Sequence, residues 1–152
     1  MHVYRITTTR YSRDLSGTGA HLYGGRWNPP GTSVVYTAES RALATVEYLV
    51  HVPLSLVPRD LNLVTLHLPD EIPCTTIAIV DLPANWRDYP APSALADLGA
   101  QWAAAYQTLA LRVPSAVVAP EYNVLLNPLY PAMSQVTIVQ VDPYQFDPRL
   151  VR

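Results

Sequence analysis

The side chains in this sequence most able to do chemistry cluster around one acid, one arginine loop and a few hydroxyls and amides. Glu47 follows Leu43 by one helical turn and precedes Val50 by almost one, so it shares the apolar side of a predicted helix. A carboxylate there must keep its head in water, find a partner or shift its pKa. One reading is a boundary residue whose stem lies on the core and whose head reaches solvent. The other is a carboxylate aimed into a cleft. Upstream lies Tyr23-Gly24-Gly25-Arg26-Trp27-Asn28. Paired glycines let a backbone approach a ligand closely. Arg26 offers a planar fork for phosphate or carboxylate, and Tyr23 and Trp27 offer stacking faces. A tight turn with an exposed arginine is the alternative. Tyr36 sits in an otherwise apolar strand, where its hydroxyl needs a partner. Ser115 follows Pro114, with Asn123 and Asn127 further on. Such residues line pocket mouths and equally make turns.

Missing motifs narrow the chemistry. All 10 basic residues are Arg, so Schiff-base and P-loop lysine chemistry are excluded. Gly17 and Gly19 lack the third glycine of a dinucleotide fingerprint, and H-E-x-x-H, C-x-x-C and G-x-S-x-G do not occur. The histidines His2, His21, His51 and His67 have no metal-ligand spacing, and no metal is expected. Cys74, alone, makes neither an internal disulfide nor a cysteine-rich zinc site. A net charge of -2 without a basic cluster argues against direct nucleic-acid binding.

These groups must be positioned by short elements, because the 15 prolines break the chain repeatedly. Val3 to Thr8 and Val34 to Ala38 read as strands. Ser40 is a plausible N-cap for a helix to about His51, with Leu43, Val46, Leu49 and Val50 on one face. Leu61 to Leu68 and Thr75 to Val80 read as strands with a turn framed by Pro69 and Pro73. Ser93 is expected to cap a helix from about Ala94 to Leu111. Ser115 to Ala119 and Val136 to Val141 read as further strands, with Asn123 and Asn127 in a loop between them. Strands outnumber helices without alternating with them, which predicts an α+β domain. At 152 residues the chain is one domain, 1–152. Charged residues are only 14%, against roughly 25% in an average domain, which suits a protein that covers surface with a partner. Neither a signal peptide nor a membrane span is recognised, and a cytoplasmic location is expected.

Several of these pieces, in this order, resemble the RES domain, the toxin of RES–Xre toxin–antitoxin pairs. They are Tyr4-Arg5, Gly17-Thr18-Gly19-Ala20, Gly24-Gly25-Arg26-Trp27-Asn28, Val35-Tyr36-Thr37-Ala38 and Ala44-Thr45-Val46-Glu47. Val113-Pro114-Ser115-Ala116, Glu121 to Pro128, and Phe146-Asp147-Pro148-Arg149-Leu150 complete the set. One departure is Tyr130-Pro131, where that family usually has His-Pro.

The resemblance implies a compact fold similar to ADP-ribosyltransferases, with a mixed or antiparallel sheet core and a few helices. It implies an enzyme that consumes NAD as substrate, without a prosthetic group, by splitting the bond between nicotinamide and ribose. Inorganic phosphate, water or a protein side chain is the acceptor; a non-catalytic binding module is the contrasting reading. The implied catalytic set is Glu47, Arg26, Tyr36 and Ser115, with Trp27 and Asn123 joining them in NAD binding. Glu47 would face the positive charge on ribose, Arg26 would hold the pyrophosphate or an incoming phosphate, Tyr36 would orient the nicotinamide end, and Ser115 and Asn123 would position ribose or amide groups. The implied partner is an Xre-type antitoxin that blocks the cleft, in a hetero-oligomer whose stoichiometry, including any toxin dimer, stays open.

Overall fold

A computed structural model describes residues 1–150; the last two residues of the expected 1–152 domain lie outside the described residues. Seven strands form one mixed sheet. They are β1 (His2–Thr8), β2 (Val35–Ala38), β3 (Leu61–His67), β4 (Cys74–Thr76), β5 (Ala110–Pro114), β6 (Tyr122–Leu126) and β7 (Thr137–Pro143). Three α-helices accompany them: α1 (Thr18–Tyr23), α2 (Arg41–His51) and α3 (Ser93–Ala105). The strand order is β4-β5-β6-β2-β1-β3-β7, antiparallel except for the β4–β5 pair. The fold is therefore α+β, as expected.

Packing explains this arrangement. Alternation along β6 sends Val124 and Leu126 to one face of the sheet and Leu125 to the other. The first face is completed by Val3, Val64, Leu66 and Leu109. The second is covered by α3, whose Leu95 and Trp102 pack with Trp27, Trp86, Leu111 and Val113. Close approach here depends on Gly99, where an added Cβ would fall 1.6 Å from the Trp27 carbonyl oxygen. The helix thus rests directly on the backbone of the Arg26-Trp27 loop.

One place in the sheet is not continuous. β1 follows β3 over its whole length, from His2↔His67 to Thr8↔Leu61, and β2 follows β6 from Val35↔Leu126 to Ala38↔Asn123. β1 and β2 meet only at Tyr4↔Ala38. The sheet splays between these two strands, and the split is where the cavity described below opens.

Helix α2 begins as the sequence predicts. Ser40 is extended and its side chain accepts from the Leu43 backbone N–H. Its apolar face is narrower than expected: Leu43 and Ala44 are buried, whereas Val50 is exposed. The C-terminal tail braces the helix from outside. Tyr144 shares a hydroxyl hydrogen bond with Thr45, and Phe146 stacks at a tilt on Tyr48 with ring centroids 5.6 Å apart.

Other expectations need correcting. The second long helix stops at Ala105, where Tyr106 takes a left-handed conformation with φ 52°. The apolar run that follows belongs to β5, buried between β4 and β6. Ser93 lies inside the helix without capping it. The segment read as a strand over Thr75 to Val80 keeps only Cys74–Thr76 as strand, and β4 lies at the opposite sheet edge from β3's side. Ser115 follows a strand instead of opening one, and Asn123 lies within β6, which was expected to be loop. The glycine-rich stretch contains the short helix α1, which was not expected.

Candidate active site

The split between β1 and β2 holds a cavity of about 1030 Å³, at the top of the range usual for small-molecule and cofactor pockets. β1 and β2 form two of its walls, α2 contributes Glu47, and the loop before β2 contributes Arg26.

Glu47 takes the second of the two roles weighed above: it is partly buried and lines the cavity. Its Oε1 accepts from Ser115 Oγ at 2.6 Å and from Asn123 Nδ2 at 2.7 Å. Those donors come from the end of β5 and the start of β6, so three elements fix one carboxylate oxygen. Among the described residues no protein donor reaches Oε2, which remains for a ligand.

The arginine loop is a tight turn, and it also builds the site. Gly25 and Asn28 pair across the turn. Asn28, almost wholly buried, donates to the carbonyls of Ala20, Pro29 and Thr32. Its Oδ1 accepts from the Tyr36 hydroxyl at 2.6 Å, and that hydroxyl accepts from the Trp27 N–H at 3.1 Å. Gly25 makes room for this arrangement, since a Cβ there would stand 2.7 Å from the Tyr36 oxygen. Burial pushes the Tyr36 phenol well above the usual tyrosine range. Tyr36 is therefore a neutral clasp on the loop, and what it offers a ligand is its ring.

Arg26 is held by its Nη1, which donates to the carbonyls of Trp86 at 2.9 Å and Asp88 at 3.1 Å. Its other nitrogens are not engaged by protein acceptors among the described residues. Burial lowers its pKa, and the nearby Glu47 carboxylate opposes that most strongly. The guanidinium stays charged at any ordinary pH, so a fixed cation and a fixed anion share the cavity.

One expected contact is narrowed and one is corrected. Trp27 is 2% exposed and packed into the core with Trp86 and Leu95, yet it also borders the cavity, so little of its ring is open there. Tyr23, 84% exposed at the cavity rim, keeps an open stacking face. Ser115 is 0% exposed and lies outside the cavity lining. Besides donating to Glu47, it accepts from the Val117 and Val118 N–H groups. It positions the carboxylate and does not reach a substrate. Asn123 lines the cavity.

Tyr130 lies past the opposite end of β6 from Asn123. It borders a separate small pocket with Tyr106, and its hydroxyl donates weakly to the Gln107 carbonyl at 3.4 Å. The histidine-to-tyrosine departure thus falls outside the cavity. Sequence reasoning missed Arg5 and Asn28 as site residues. Arg5 carried a signal, being a charged side chain within a strand that the fold buries; Asn28 carried none beyond its place in the loop.

Comparisons with known proteins agree on one family. The model of the RES domain matches residues 2–147. A Sphingobium sp. (strain YBL2) protein named Prs ADP-ribosylating toxin is 38% identical over 98% of this chain and 96% of its own length. A Yersinia enterocolitica protein named Toxin Res is 39% identical over 99% of both chains. Among solved structures, one chain of the M.tuberculosis MbcT-MbcA toxin-antitoxin complex superposes with a TM-score of 0.71, at 22% identity, covering 99% of this chain and 86% of that one. That last likeness concerns the fold.

Proposed function

This chain belongs to the RES domain family, and from that premise we propose that it is the toxin of a toxin–antitoxin pair that consumes NAD by cleaving the nicotinamide–ribose bond. The observation carrying this reading is the Glu47 carboxylate, fixed through Oε1 by Ser115 and Asn123, with Oε2 free of protein donors among the described residues, in a cavity that Arg26 also lines.

The chemistry follows from that geometry. As the C–N bond breaks, its electron pair leaves with nicotinamide, which departs neutral, and positive charge builds on the ribose ring. Glu47 Oε2 accepts from ribose hydroxyls and faces that charge. An anion held in place before the reaction stabilises the transition state without reorganising. An acceptor oxygen then bonds to the same carbon; an unprotonated phosphate oxygen does so directly, whereas water or a neutral hydroxyl gives its proton up to solvent. With inorganic phosphate the product is ADP-ribose bearing a phosphate on that carbon; with water it is free ADP-ribose. Arg26 holds an anionic part of the substrate or the incoming phosphate, and the ring of Tyr36 borders the nicotinamide end.

The relative named for ADP-ribosylation, together with exposed Tyr23 and Tyr89 at the cavity rim, supports a second reading in which the acceptor is a protein side chain. NAD labelled in its adenylate half separates the two. Label in small products supports hydrolysis or phosphorolysis; label on a macromolecule supports transfer. The partner is an antitoxin that closes the cavity, the Xre type being the expected one. Titrating the antitoxin against the toxin should stop nicotinamide release at a fixed ratio.

A further inference from the structure

We propose that the C-terminal tail serves the reaction: Tyr144 and Phe146 are positioning residues that hold the Glu47 half of α2 from across the split. This rests on the NAD reading above and extends it to two residues that lie outside the cavity lining.

Only the first half of α2 is firmly seated. Its buried residues are Leu43, Ala44 and Thr45, and the Arg41 guanidinium lies over the Tyr4 ring of β1 at 4.5 Å. Past Thr45 no residue of the helix is buried, and only Val46 joins the small apolar cluster beneath it. Glu47, Tyr48, Val50 and His51 line the cavity instead. This half of the helix borders open space where a core would otherwise support it. A segment with few buried apolar contacts opens locally at little cost in free energy, yet this one carries the carboxylate on which the chemistry depends.

The tail supplies support from outside. Tyr144 and Phe146 are half-buried and alternate with exposed Gln145, as along a strand. The Thr45 hydroxyl gives its proton to the Arg41 carbonyl at 2.8 Å, so in the contact between the two hydroxyls Tyr144 is the donor. Phe146 stands edge-on to Tyr144, with ring centroids 5.3 Å apart, and its other neighbour is the Tyr48 ring. Tyr48 follows Glu47 directly in the chain. Beyond Phe146 the backbone is locked by a two-pronged pair, Arg149 Nε and Nη2 on the two Asp147 oxygens.

The origin of the tail gives these contacts their meaning. β1, β3 and β7 form one side of the split; β2, β6, β5 and β4 form the other. Helix α2 continues from β2, and the donors to Glu47 stand at the end of β5 and the start of β6, so all of these belong to the second side. The tail continues from β7, and the Tyr144 N–H still bonds the Leu61 carbonyl of β3, so it belongs to the first. The carboxylate is gripped directly from one side and its helix from the other. The tail thereby fixes α2 against the separation of strands that opens the cavity.

The test uses the full chain with Phe146→Leu, Phe146→Tyr and Tyr144→Phe. Phe146→Leu keeps the tail apolar but removes the ring; kcat for nicotinamide release should fall at least fivefold while KM for NAD changes less than twofold. Phe146→Tyr keeps the ring and should recover most of that loss. Tyr144→Phe, which loses one hydroxyl, should fall between them. A second readout does not involve NAD. Hydrogen exchange of the α2 amides from Glu47 to His51 should quicken at least tenfold in Phe146→Leu, with that of α3 unchanged. Exchange that quickens equally in α2 and α3 means general destabilisation and overturns the proposal. So does unchanged exchange in α2, or an unchanged kcat. If the wild-type protein releases no nicotinamide, the NAD reading fails by itself, and the exchange data alone uphold or overturn the hold of the tail on α2.

Discussion

Two neighbours, one buried behind the cavity and one on its wall, fix the carboxylate on which the proposed chemistry rests. Ser115 and Asn123 both donate to Glu47 Oε1, so removing either frees the carboxylate to rotate. Ser115→Ala should lower kcat roughly 10- to 100-fold with a smaller change in KM, because misplacement by about an ångström is enough to lose that much. Steady-state assay of nicotinamide release checks it; an unchanged kcat would deny Ser115 its positioning role. Tyr36 makes a pH-dependent contribution of known sign. Burial raises its folded-state pKa, so the neutral phenol is favoured by folding. Its contribution is complete below the ordinary tyrosine pKa of about 10 and is lost as pH climbs above that toward the folded value. Tyr36→Phe should flatten this alkaline loss, while costing about 1–3 kcal/mol near neutral pH by stranding Asn28 Oδ1 and the Trp27 N–H. Urea denaturation at pH 8 and pH 10.5 measures both effects.

At the level of elements, the site depends on α3 seating the arginine loop. Gly99→Ala would drive a methyl group into the Trp27 carbonyl, and about 3 kcal/mol or more of stability should be lost. Thermal melting tests this, and a variant as stable as wild type would mean that α3 and the loop are not in contact. What the sequence reveals about elements follows from how far each signal is local. Ser40 and the 3.6-residue period announce α2 because a cap and its helix are neighbours in the chain. The end of α3 and the start of β5 are not announced. Ala110-Leu111 continues the helical apolar pattern, and only burial between two neighbouring strands makes it sheet. Strand β6 is hidden for a related reason. Val124-Leu125-Leu126 is buried on both faces and shows no alternation, while Asn123 and Asn127 at its borders look like turn residues. The acid at Glu47 and the arginine at Arg26 are legible. Their common cavity is not, because it comes from β1 and β2 parting at Tyr4↔Ala38. Spacing along a chain does not encode such a gap.

For the whole molecule, the consequence is a sheet that is continuous on either side of an open split, with anion and cation fixed at its walls. No helix among the described residues is long and apolar enough to cross a membrane. Filling the split should tie its walls together. In the Glu47→Gln protein, chosen because its turnover of NAD should be slow, the dinucleotide at a hundred times its Kd should add about 2.7 kcal/mol of stability. For a domain of this size that is a rise in Tm of roughly 5–10 °C, readable in a thermal shift assay, and no rise would show that the split does not take NAD. The most direct measurement is the rate of nicotinamide release at saturating NAD, compared between wild-type protein and Glu47→Gln with matched melting curves. Wild type should release nicotinamide and the variant should be slower by at least 100-fold. Equal rates, or a wild-type protein that releases none, would contradict the assignment of Glu47 as the group that stabilises the charge on ribose as nicotinamide departs.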